Sequence, residues 1–282
     1  RVAIPKTVVL CTDVFDEFME TNNLYQIALS DADDDTILRY FLKAKLPDRL
    51  VEDFFTFFDV VKSPIAIRSS SLLEDSHYQP FAGIYNTYMI PYLDDRYEML
   101  RMLSDAIKGV YASVYFRDSK AYMQATSNVI EKMAVILQEV VGNQYGDRYY
   151  PSMSGVARSL NYYPLGDEKA EEGTVNLALG LGKYIVDGGM TLRFSPYHPN
   201  QVLQTSEMEI ALKETQTRFY ALDLKNAGHD FSIDDGFNLL KLHVKEAESD
   251  GSLRYIASTY DPYDQIIRDG LYPGGRKPSR MI

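Results

Sequence analysis

An arginine and three serines, Arg68-Ser69-Ser70-Ser71, close the apolar stretch Ile65-Ala66-Ile67. The acidic pair Glu74-Asp75 and the run Phe81-Ala82-Gly83 follow shortly after. A guanidinium at the end of an apolar strand is unfavourable unless it meets an anion. Its planar fork matches phosphate oxygens. Serine hydroxyls and the backbone N–H groups of a flexible Ala-Gly turn can bring further donors to the same phosphates. The composition therefore suits a polyphosphate cradle. It also suits a plainer arrangement, in which Arg68 pairs with Glu74 or Asp75 and pins a loop.

Other residue types offer less chemistry. The four histidines are His77, His198, His229 and His243, and none has a metal-ligand partner at the usual spacing. His77 lies in the loop after Glu74, where a solvated histidine is the ordinary outcome. The acidic run Asp31 to Asp35 reads as a solvated loop or helix start before it reads as a metal site.

The elements that must position Arg68 follow from pattern. The chain has 282 residues, 45% hydrophobic and 24% charged, which is ordinary for a globular protein able to bury a core without cross-links. Cys11 is the only cysteine, so no intrachain disulfide forms, and a reducing, cytoplasmic setting is expected. No apolar run approaches the ~18 residues of a membrane span. A net charge of −11 argues against a general nucleic-acid or membrane-surface binder. Strands are predicted at 2–10, 63–68, 133–141 and 174–179, with another in "GVARSL". Helices are predicted from an N-cap at Thr12 to about Asn22, and over 36–46, 49–61 and 97–124. Residues 142–155 read as a loop, and "GLGKYIVDGG" as a glycine-rich turn into a short helix. Later strands are predicted in "TRFYALDL" and "LRYIAST", and helical turns at 207–217 and in "VKEAESDG". The order is α+β.

The stretch "IAIRSSSLLEDSHYQPFAGIYNTYMIP" resembles the Val-Arg-Ser-Ser-Ala-x-x-Glu-Asp…Phe-Ala-Gly-x-x-x-Thr signature of phosphoenolpyruvate synthases and pyruvate phosphate dikinases. Further stretches agree in the family's order. "IPKTVVLCTDVFDEFMETNNL" is similar to its opening strand and helix, and "ASVYFRDSKAYMQA" to its Ser-x-x-x-x-x-Arg-Ala-x-x-Tyr helix. "MAVILQEVV" resembles its adenine-hinge strand. "SGVARSLNYYP" is similar to Ser-Gly-Val-x-Phe-Thr-x-x-Pro, and "VNLALGLGKYIVDG" to Glu-x-x-x-Gly-Leu-Gly-Glu-x-x-Val-x-Gly. The matches run from about residue 2 to residue 190; residues 200–282 carry none.

The resemblance implies an ATP-grasp-like fold of two α+β subdomains with the nucleotide cleft between them. The first would span 1–125; the second, 126–282, would hold the hinge strand 133–141 and be incomplete at its C-terminus. It implies phosphoryl transfer from ATP, with Mg²⁺, to a carrier histidine outside this chain on the way to pyruvate. Arg68 would be the catalytic, phosphate-contacting arginine facing the cleft, with Ser69 and Gly83 in the same cradle. Gln138, Glu139 and Val141 fall on the hinge, where backbone groups would read the adenine edge. Arg193 lies a few residues from a second phosphate-binding arginine of the family. Arg117 matches a family arginine that suits surface ion pairing equally well.

The pattern also breaks. Lys183 stands where the family has a carboxylate near the phosphates and metal, and Asn176 stands at an earlier family glutamate. A lysine cannot ligate Mg²⁺, so no metal site carries over; it can contact phosphate, or it can be a solvated helix-start lysine. The family's Gly-Gly-Lys segment, its late Asp-Ile-Glu-Trp and Gln-x-Arg segments and its carrier-histidine and pyruvate-binding domains find no match here. The chain therefore reads as a piece of a larger protein that alone binds ATP weakly and is inactive. Glucan water dikinases and antibiotic phosphotransferases share this domain, so the final acceptor stays open. A different class, a non-catalytic nucleotide-binding or regulatory domain on a degenerate scaffold, fits Lys183 and Asn176.

Overall fold

Two helices in the first part of the chain start at aspartate caps, Asp33 and Asp95, and bury apolar residues at helical spacing. A computed structural model describes residues 2–72, 74, 85–125, 131–225, 231–234, 236–271 and 279–281. In it β1 (Thr7–Leu10) leads to α1 (Thr12–Thr21), α2 (Tyr25–Ala28), α3 (Asp34–Lys43) and α4 (Leu50–Val60). After these come β2 (Ile65–Ser70), β3 (Tyr88–Ile90), α5 (Arg96–Ser113), α6 (Arg117–Ala125) and β4 (Ala134–Glu139). The acidic run is a helix start: Asp33 caps α3 by accepting the Thr36 N–H at 2.7 Å, and Asp34 and Asp35 occupy the first turn. Acids there complement the helix dipole. The N-cap of α1 is Cys11, one residue before the predicted Thr12.

These elements form one body, Arg1–Val141 with Leu224–Asn238. Its sheet has the order β1-β4-β2-β3, every pair antiparallel. β4, placed with the second subdomain in the sequence reading, is a central strand here. Successive side chains alternate between faces. Leu10, Ile65, Ile67, Tyr88, Val135 and Leu137 take the face covered by helices and join a core with Phe15, Phe18, Phe41 and Tyr111. The last helical carbonyls find cations from elsewhere: Lys108 Nζ donates to Leu42 O (3.0 Å) and Lys6 Nζ to Val60 O (2.6 Å).

The returning segment docks on the same body. Phe231 stacks on Tyr88 with ring centroids 4.6 Å apart, and Asn86 Nδ2 donates to Ile233 O at 2.8 Å. Gly109, in the second half of α5, makes room for it: a Cβ there would lie 2.6 Å from Phe231 Cζ and 2.9 Å from Tyr88 Cε2.

The second body is Gly142–Asp223 with Leu239–Ile282. It contains β5 (Asn143–Tyr145), β6 (Arg148–Tyr150), β7 (Ser154–Arg158), β8 (Thr174–Ala178), α7 (Lys183–Val186) and β9 (Leu192–Phe194). Next come α8 (Met208–Glu214), β10 (Arg218–Asp223), β11 (Leu239–His243) and α9 (Val244–Ser249), then β12 (Ser258–Asp261), β13 (Ile266–Asp269) and β14 (Ser279–Met281). Three antiparallel sheets result: β11-β10-β6-β5, β7-β8-β9 and β13-β12-β14. The predicted loop 142–155 holds the β5–β6 hairpin, turned at Gly146 with φ +59°. Half of the predicted strand "LRYIAST" is a helical turn over Ser252–Tyr255.

Gly109→Ala tests the docking of the returning segment. Alanine improves helix propensity by about 1 kcal/mol, but overpacking costs about 1–3 kcal/mol. A lower melting temperature is expected in a thermal scan; an unchanged or higher one would show that Phe231 does not rest on α5.

Candidate functional site

The face of the first sheet opposite the helices carries several polar side chains. Register and alternation place Thr7 and Val9 of β1, Ile136 and Gln138 of β4, and Ala66, Arg68 and Ser70 of β2 on it. Arg68 and Thr7 are exposed, and Val9 keeps 49% of its surface in solvent. Arg68 Nη1 donates to Gln138 Oε1 at 3.3 Å, and Gln138 Nε2 donates to Thr7 Oγ1 at 3.2 Å. Among the described residues no carboxylate pairs with Arg68. The face thus combines a cation, an amide, a hydroxyl and apolar side chains.

Glu74 does something else. Ser69 Oγ donates to its Oε1 at 2.7 Å, the Ser71 N–H donates to its Oε2 at 3.0 Å, and its own N–H donates to Ser71 Oγ at 3.3 Å. Ser69 alternates with Arg68 and sits on the face of Ile67, so the two are not brought together. Tyr85 lies beside Ser71, and burial, reinforced by Glu131 and Glu74, raises its phenol pKa so that it stays neutral. The plainer arrangement, in which Arg68 pairs with Glu74, is not found: the partners described for Glu74 are Ser69 and Ser71. Gly83, His77 and Asp75 lie outside the described residues.

At the end of β4 the backbone is partly committed. The Glu139 N–H donates to Lys6 O at 2.9 Å and the Val140 N–H to Pro64 O at 2.8 Å. The Glu139 carboxylate accepts from Ser63 Oγ at 3.0 Å. No described residue accepts the N–H of Val141, whose side chain is exposed.

In the second body, Asn176 of β8 lies directly opposite Arg193 of β9. Arg193 Nη2 donates to Asn161 Oδ1 (2.6 Å) and to Tyr163 O (2.9 Å). Asn161, itself buried, donates through Nδ2 to Glu168 Oε2 at 2.9 Å. Lys183 opens α7 and reaches Asp187 Oδ1 at 3.1 Å. His198 Nε2 lies 3.3 Å from Glu172 Oε2. Arg117 is exposed and opens α6, where its N–H donates to Asp34 Oδ1 at 2.8 Å.

A groove of about 600 Å³ also runs along β1, between α1 and α4. Leu10, Val14, Phe54, Phe57 and Leu137 line it, and its Arg49 is paired with Glu17 at 2.6 Å. It lies on the helix-covered side of the sheet. Its lining is mainly apolar, with Lys6, Asp13, Arg49 and Asp53 among it.

Residues 1–234 match the family described as pyruvate phosphate dikinase, AMP/ATP-binding domain. The chain belongs to that family. It is also similar to a Bacillus subtilis (strain 168) protein described as an uncharacterized phosphotransferase, YvkC. Identity is 26% over 190 residues, which is 67% of this chain and 20% of that protein. The chain therefore spans about a fifth of that relative's length.

Membership implies binding of AMP or ATP but does not supply a metal site. Among the described residues no group of three His, Cys, Asp or Glu could hold a metal ion. Lys183 and Asn176, where the motif resemblance leads one to expect carboxylates, are a cation and an amide and cannot supply anionic metal ligands. No helix among the described residues is long and apolar enough to cross a membrane. Sequence reasoning missed Thr7 and Asn161. Nothing in their local sequence marks them, because each gains its partner through strand register or a loop return.

The separation of anchoring from exposure has a direct test. Glu74→Ala leaves the Ser69 hydroxyl and the Ser71 N–H without their acceptor and is expected to lower unfolding free energy by about 1–3 kcal/mol. Arg68→Ala, on the open face, is expected to stay within about 0.5 kcal/mol. Urea unfolding of the two variants measures both; equal losses would mean that Arg68 is structural.

Proposed function

We propose that this chain is the ATP-binding part of a dikinase-type phosphotransferase with an ATP-grasp fold. Arg68 contacts the phosphates, and the β4 end, from Gln138 through Glu139 to Val141, meets the adenine edge. The phosphoryl group passes from ATP to a carrier histidine outside this chain, on the way to pyruvate. The observation that carries the reading is Arg68: an exposed guanidinium on an open sheet face whose protein partner is a neutral amide. Such a group keeps its charge available for an anion. The apolar neighbours Val9 and Ile136 offer a surface on which a flat ring can rest. Ser69 and Gly83 stay in the proposal as members of the motif that holds Arg68, and the Ser69 hydroxyl already serves Glu74.

Lys183 and Asn176 support a second reading, in which the domain binds nucleotide without transferring phosphate. Lys183 and Arg193 then add positive charge where relatives place a carboxylate and a nearby arginine. A cation favours phosphate binding, and the missing carboxylate removes a metal ligand.

Titration calorimetry with ATP, Mg-ATP and adenosine separates these readings. ATP binding is expected, and Arg68→Ala should weaken it by roughly 10- to 100-fold, the value of one charge-assisted contact, while adenosine binding stays unchanged. Failure to bind millimolar ATP, or an Arg68→Ala variant that binds as wild type does, sinks the assignment. Lys183→Glu is expected to weaken metal-free ATP binding and to increase its dependence on Mg²⁺. Identical behaviour with and without Mg²⁺ would leave Lys183 as a helix-start residue paired to Asp187.

A further inference from the structure

The hydrogen bonds across the open face run in one direction. Thr7 Oγ1 donates its single proton to Pro5 O at 3.0 Å. Its lone pairs are then what it can offer Gln138, so the amide nitrogen must face Thr7, as it does at 3.2 Å. With Nε2 committed to that side, Oε1 faces Arg68 and accepts from Nη1 at 3.3 Å. An amide flip would set Oε1 against a hydroxyl with no free proton and an NH₂ group against a guanidinium. Pro5 O therefore fixes Thr7, Thr7 fixes Gln138, and Gln138 fixes Arg68, across three adjacent strands in the order β1-β4-β2.

We propose that Thr7 and the Gln138 side chain are positioning residues that hold the Arg68 guanidinium ready for a nucleotide phosphate. The inference rests on the reading of Arg68 as a phosphate contact. An exposed arginine is rotationally free, and ordering it on binding weakens affinity. A partner that accepts one N–H restrains the group. Its Nε and Nη2 donors make no hydrogen bond to a described residue and stay available to phosphate oxygens. Because the acceptor is an amide, the restraint does not neutralise the charge, as a carboxylate at the same position would.

Thr7→Val keeps the β-branched shape and removes only the hydroxyl, at an exposed position where folding is not at risk. It is expected to weaken ATP binding roughly two- to tenfold, the range for immobilising one side chain, with adenosine binding unchanged. Thr7→Ser should bind as wild type does. Gln138→Leu should lose at least as much as Thr7→Val. The decisive measurement is a double-mutant cycle by calorimetry: in an Arg68→Ala background, Thr7→Val should have no further effect. Equal losses with and without Arg68, or no loss from Thr7→Val alone, overturn the positioning role while the phosphate reading stands. Unchanged ATP binding by Arg68→Ala overturns both.

Discussion

The antiparallel register of β4, with β1 on one side and β2 on the other, decides what the first body presents to solvent. Arg68 pairs with Ile136, Ala66 with Gln138, and Thr7 with Gln138, so the polar groups of three strands meet on one face. The period of a strand is two residues, and a slip of one would exchange the faces. Arg68 would then enter the aromatic core, and Ile67 and Leu137 would face water. The helices enforce the register from the opposite side: Ile65, Ile67, Val135 and Leu137 are all fully buried beneath them. Hydrophobic burial on one side of the sheet thus places the polar residues on the other.

This division explains what the sequence disclosed. α3, α4 and α5 were legible because apolar residues recur at helical spacing and acids mark their starts, as at Asp33 and Asp95. β2 was legible because an apolar run ends abruptly at Arg68. The motif resemblance pointed to Arg68 and Gln138, and these two do meet. The β5–β6 hairpin escaped because "NQY" and "RYY" have no apolar alternation; its stability comes from Tyr150, whose hydroxyl reaches Asp250 at 2.7 Å, a hundred residues away. The strand reading of "LRYIAST" failed at its start because Leu253 is buried by a helical turn, with the Ile256 and Ala257 N–H groups both donating to its carbonyl. Local propensity carries no information about such long-range contacts.

In the second body, the residues singled out for phosphate chemistry are more heavily engaged. Arg193 is held by Asn161 and the Tyr163 carbonyl, and Asn161 leads on to the buried carboxylate of Glu168. The intervening amide presents its oxygen to the cation and its NH₂ to the anion. It therefore links opposite charges without a direct ion pair. Lys183 has a carboxylate within its own helix. A partly exposed pair four residues apart is worth about 0–1 kcal/mol. Arg193 is thus fixed by an amide and a carbonyl, whereas Lys183 has the carboxylate of Asp187 among its partners.

A chain of net charge −11 can still present a local cation to solvent. Long-range charge is screened within about 8–10 Å at ordinary ionic strength, so the local balance decides. Several arginines of this chain are neutralised where they stand: Arg49 by Glu17, Arg96 by Asp59, Arg148 by Asp250 and Arg268 by Asp264. Arg68 is restrained by Gln138, which carries no charge. The one carboxylate close in sequence that the structure describes, Glu74, is occupied by two serines on the opposite face of the strand. The pleat of β2 therefore does the electrostatic work. It turns Ser69 to the helix-covered face, where its hydroxyl donates to Glu74, and leaves the Arg68 guanidinium exposed on the other.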